Sequence, residues 1–128
     1  MTEHIARLIR RCERAKGHDA ALDRDIWLAV VAEAHERAMV IAGRELHGEK
    51  EANFRIDWMA DGARYTSSLD AALSLVPGGF DWLIGRTNGG LTIHAEVGGR
   101  GDEFMRFGNT PALALCAAAL RARIKDEI

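Results

Sequence analysis

Between Asn109 and Leu120 the chain carries no charge, and from Ala112 onward it is built of Ala, Leu and one Cys. Thr110 is placed to cap a helix, and Pro111 falls at the first helical position, where a missing N–H costs nothing. Nine apolar residues from Ala112 to Leu120 are too few to cross a bilayer, which takes about twenty. A helix apolar on nearly every side must then be covered on more than one face by its own protein. Its small side chains let neighbours approach closely. Whatever else the chain forms has to enclose this rod.

A chain of 128 residues, 48% hydrophobic and 28% charged, fits one globular domain. The expected division is a helical N-terminal part over 1–43 and a sheet-containing core over 52–128. Net charge is −2, which speaks against a nucleic-acid binder, since such proteins present a basic face. Residues 1–16 nonetheless hold five basic side chains (Arg7, Arg10, Arg11, Arg14 and Lys16) against Glu3 and Glu13. A solvated helix face accounts for them. Cys12 and Cys116 lie in separate apolar helical patterns and read as small buried hydrophobes. The first residues lack the apolar run of a secretory signal, so the default expectation is the cytoplasm.

Ile5, Leu8, Ile9 and Cys12 recur at helical spacing, with Thr2 as a cap. A second helix is expected from Asp19 or Asp23 to Ile41. Its apolar surface, widened by Trp27, Leu28, Val31 and Val40, predicts a self-complementary contact and a homo-oligomer. Phe54, Ile56 and Trp58 alternate as a strand ending at Asp61-Gly62. Ser67 with Asp70 reads as a capping box for a short helix over 68–75, stopped by Pro77-Gly78-Gly79. Strands are expected at 80–86, 91–97 and 103–107, the first two joined through the hairpin pair Asn88-Gly89. The second connection is expected at Gly98 to Asp102. This order predicts an α+β protein, an α/β/α sandwich with a small, mostly antiparallel sheet of three or four strands and helices on both faces.

The run from Tyr65 to Trp82, containing Ser67-Ser68-Leu69-Asp70 and Pro77-Gly78-Gly79-Phe80-Asp81-Trp82, resembles the phage ABA sandwich domain family, as does the run from Asn109 to Arg123. These stretches cover roughly a third of the chain. The resemblance implies a phage or prophage origin and an α-β-α sandwich, and it brings no activity and no catalytic residues. The long second helix and the segment from Glu45 to Glu51 depart from shorter members.

Catalytic templates fail at their second residue. Ser67, Ser68 and Thr66 read as capping hydroxyls, and no Gly-x-Ser-x-Gly elbow is present. Glu33-Ala34-His35-Glu36 lacks the second His of a zinc-protease helix, because position 39 is Met. Thr92, His94 and Glu96 alternate onto one strand face, where they would serve a metal, a polar ligand or, more simply, solvent. Of three glycine clusters, Gly98-Gly99-Arg100-Gly101 is the one in which backbone N–H groups and a guanidinium can approach an anion together.

The expected ligand-binding set is therefore Arg100, Gly99, Gly101, Arg86, Trp82, His94, Arg106 and Trp58. Core packing is the plainer account of the aromatics among them. The expectation is a non-enzymatic accessory protein, with no cofactor and no metal. It would hold a small anionic ligand, most plausibly a nucleotide immune signal of a bacterial host, in the host cytoplasm. No nucleic-acid or membrane partner is expected. The competing expectation is a protein–protein interaction module, either a host-protein inhibitor or a minor phage component.

Overall fold

The computed structural model describes residues 2–30, 64–87, 89, 92–99 and 102–125. Among these, four helices and one sheet form a small α+β fold: α1 (Thr2–Arg14), α2 (Ala20–Val30), α3 (Leu69–Leu73), β1 (Asp81–Thr87), β2 (Thr92–Gly99), β3 (Asp102–Gly108) and α4 (Pro111–Lys125). The strand at 54–58, the second half of the long helix and the segment 45–51 lie outside the described residues.

Helix α4 occupies the centre. Every residue from Leu113 to Leu120 is fully buried, as the uncharged run requires. Thr110 caps the helix, its Oγ1 accepting from the Leu113 N–H at 3.2 Å. Strands β2 and β3 lie against one side of α4, α1 against another, and α3 against a third. Gly108 marks the closest approach. A Cβ there would come within 2.5 Å of the Ala114 nitrogen, so only glycine lets β3 run this close to the helix. Ile5, Leu8, Ile9 and Cys12 of α1 and Leu22, Ile26 and Trp27 of α2 join the same core. Ile26 and Trp27 are thus spent inside the chain and are not free for the expected contact between subunits. Val31 to Ile41 lie outside the described residues.

Short-range hydrogen bonds place the remaining helices. Asp19 caps α2, its Oδ1 accepting from the Leu22 N–H at 3.0 Å. For α3 the capping residue is Ser68, not Ser67. Ser68 holds an extended backbone, and its Oγ accepts from the Ala71 N–H at 3.2 Å. With two adjacent serines, sequence cannot choose between them; the backbone conformation does. Arg123 Nε donates to the Leu75 carbonyl at 2.7 Å, fastening the end of α4 to the turn after α3.

The sheet is antiparallel in the order β1-β2-β3. Gly89 has φ +67°, the left-handed conformation expected of the first hairpin. The second connection is shorter than expected. Gly98 and Gly99 belong to β2 and pair with Glu103 and Asp102, so only two residues separate the strands. Alternation sets Ala95 and Val97, both fully buried, toward the helices. Leu83, His94, Glu96, Met105 and Phe107 point the other way. The described helices that pack on the sheet, α4 and α1, do so on the Ala95 side; the expected helical cover of the opposite face lies outside the described residues.

Candidate functional site

Helical and strand periodicities bring three arginines to one cleft. On α1, Ala6, Ile9, Arg10 and Glu13 share a face at i, i+3, i+4 and i+7. On α4, Arg121 and Ile124 are one turn apart. On β3, Arg106 stands beside Ala95 on the helix-facing side of the sheet. These seven residues line a cleft of about 310 Å³, near the lower end of small-molecule sites at about 300–1,000 Å³.

Charge in this cleft is unbalanced. Arg10, Arg106 and Arg121 face a single carboxylate, Glu13, and none of the three is ion-paired among the described residues. Arg121 lies with its guanidinium carbon 4.9 Å from the centre of the Phe104 ring, an attraction between cation and ring face that fixes its plane. Its Nη1 is buried without a hydrogen-bond partner among the described residues. An unpaired buried donor costs about 1–3 kcal/mol, and more when charged. Three like charges around a small volume add to that cost. An anion between them would relieve both.

Of the residues expected at a site, the structure places only Arg106 here. Trp82 and Gly99 line a different hollow, at the end of the sheet, of about 330 Å³, where Asp81, Glu96 and Glu103 supply three carboxylates. That charge is unfavourable to an anion. Gly99 has a packing role instead: a Cβ there would stand 3.2 Å from the Phe80 ring. Arg86 is exposed on the edge strand β1, separated from Arg106 by β2. His94 is on the face that no described helix covers, its ring edge-on to Phe107 at 6.4 Å and laid over Gly85. Arg100, Gly101 and Trp58 lie outside the described residues. Arg10 and Arg121 were not expected in a site; no local motif marks them, because 110 positions of sequence separate two side chains that meet only in the fold.

The other polar groups in the interior serve the scaffold. Asp23 is buried and accepts from the Thr66 N–H at 2.8 Å, with His18 Nδ1 at 3.6 Å. Burial raises its carboxyl above the usual 3.8, against the lowering effect of the Thr66 hydrogen bonds and of His18. The Cys116 thiol donates to the Tyr65 carbonyl at 3.2 Å. Its hydrogen bond with Cys12, then burial, push it up, so it stays protonated at neutral pH. Both cysteines are free and buried, as expected. Burial pushes the Tyr65 phenol up to about 12. None of these groups lines the arginine cleft. Among the described residues, no three His, Cys, Asp or Glu side chains are placed to hold a metal ion, and no helix is long and apolar enough to cross a membrane.

No family model, no curated protein and no solved structure matches this chain.

Proposed function

We propose that this protein binds a small phosphate-bearing anion in the cleft between α1, β3 and α4 and holds it without chemistry. The observation that carries the reading is the Arg121 guanidinium, planted on Phe104 with a buried, unpartnered N–H beside Arg106 and Arg10. Guanidinium groups match phosphate oxygens with paired hydrogen bonds. Among the described residues, the cleft offers binding groups and no paired base and nucleophile. A nucleotide is the ligand class that fits best, its phosphate set among the arginines. Taken with the resemblance to phage sandwich proteins, this makes the protein a sponge that withdraws a nucleotide immune signal in the cytoplasm of a bacterial host.

Thermal unfolding with a panel of cyclic and linear nucleotides, and with inorganic phosphate, tests the reading. A ligand at a hundred times its dissociation constant should stabilise the protein by about 2.7 kcal/mol, and mass spectrometry after heat release should return it intact. Arg121→Gln should weaken binding by about 1.5–3 kcal/mol, the worth of a charged hydrogen bond. No shift with any member of the panel overturns the reading, and a cleaved nucleotide turns it into an enzyme. The competing role, a protein–protein interaction module, is favoured by one observation, the apolar side chains on the sheet face that no described helix covers.

A further inference from the structure

That face has a charge pattern that selects its occupant. Its rows, read across β1, β2 and β3, are Asp81–Gly98–Glu103, Leu83–Glu96–Met105, Gly85–His94–Phe107 and, on two strands, Thr87–Thr92. Leu83, Met105 and Phe107 are 55%, 49% and 44% exposed, three of the five large hydrophobics that the described structure leaves in solvent. His94 Nδ1 is buried without a hydrogen-bond partner. Leu83 on one outer strand and Met105 with Phe107 on the other thus flank a polar centre holding one imidazole and, two residues on, one carboxylate.

We infer that this face is covered by the same face of a second copy of the chain, in a two-fold dimer whose axis crosses the strands at the level of Ala95. Two sheets stacked face to face can be related by a two-fold along the strands or across them. An axis along the strands sets each row on its own copy, placing Glu96 against Glu96 and Asp81 against Glu103. An axis across the strands at Ala95 exchanges the second and third rows. Glu96 then faces the partner's His94, twice over by symmetry. Met105 faces the partner's Phe107, a sulfur–aromatic contact, and Leu83 faces the partner's Gly85. Asp81 moves opposite the partner's Thr87, away from all carboxylates. Carboxylates opposed across a contact select against the first arrangement, and a carboxylate set against an imidazole that can donate to it selects the second.

Strand spacing and rise give the face about 14 Å by 23 Å. That is small for a permanent interface, so the dimer should exchange with monomer at micromolar concentrations. The arginine cleft lies on the other side of the sheet, and its ligand does not enter this contact.

Sedimentation equilibrium of the full chain from about 5 to 500 µM tests the inference. The expected result is a monomer–dimer equilibrium that Phe107→Asp and, independently, Met105→Glu weaken at least tenfold, with circular dichroism and melting temperature kept. Glu96→Lys should weaken dimerisation about tenfold, and adding His94→Glu should restore it, because the reversed pair still meets across the axis. A chain that is monomeric throughout, or whose dimer ignores Phe107→Asp and Met105→Glu, overturns the inference. So does a Glu96→Lys defect that His94→Glu fails to repair.

Discussion

The two faces of the sheet are made by alternate residues of the same three strands and have opposite characters. Toward the helices stand Ala95, Val97 and Gly108, small groups pressed on a helix that is itself rich in alanine. Away from them stand Leu83, Met105 and Phe107, larger and half in solvent. At the centre of the covered face size runs against burial, because Ala95, Val97 and Gly108 are limited by how close α4 must come, while Ile84, Ile93 and Phe104 fill the margins. A helix of small residues is held by short separations and many weak contacts, not by large side chains. The lesson is that apolar bulk on a strand does not by itself locate the core; the volume left by the partner element does.

The contrast predicts unequal responses to the same kind of change. Gly108→Ala should give the largest effect, about 3 kcal/mol or more of lost stability, because its Cβ would meet the backbone of Ala114, which cannot step aside. Ala95→Leu on the covered face should cost about 1–3 kcal/mol by overpacking. Thr110→Ala, which removes the cap of α4, should cost about 1 kcal/mol. On the opposite face, Leu83→Ser should stay within about 0.5 kcal/mol in the monomer, because Leu83 is 55% exposed. Urea unfolding of the four variants orders them, and a Leu83→Ser loss matching that of Ala95→Leu would erase the distinction between the faces.

A fifth change probes the charge kept on the buried side. Asp23 has a native carboxyl raised above its unfolded value of 3.8, so folding favours its neutral form. Its cost is absent below that value and fully present once pH exceeds the raised native value. Asp23→Asn keeps an acceptor for the Thr66 N–H and removes the charge. Stability of Asp23→Asn relative to the parent should therefore rise between pH 4 and pH 7. A flat difference would mean that the carboxylate is as well satisfied inside as in water.

Much of the scaffold was legible because its signals are local. The uncharged run after Pro111 demanded a buried helix, and alternation located all three strands within one or two residues. The short second connection was not legible: Gly98 and Gly99 look like turn residues, and only pairing with Glu103 and Asp102 makes them strand. The site was nearly illegible for a related reason. Arg10 resembles any solvated helix cation and Arg121 any helix-end basic residue, until α1, β3 and α4 converge. Gly99 misled in the opposite direction, since its missing side chain makes room for Phe80 and not for a ligand.

One consequence of the central placement of α4 concerns synthesis. The sheet, α1 and α3 find their common partner in residues 111–125, which the ribosome supplies after every one of them. Until that segment emerges, the nascent chain has strands and amphipathic helices with nothing to close around, and its apolar surface is open to chaperones. Folding should then arrive as one late, cooperative event, not as a growing N-terminal nucleus.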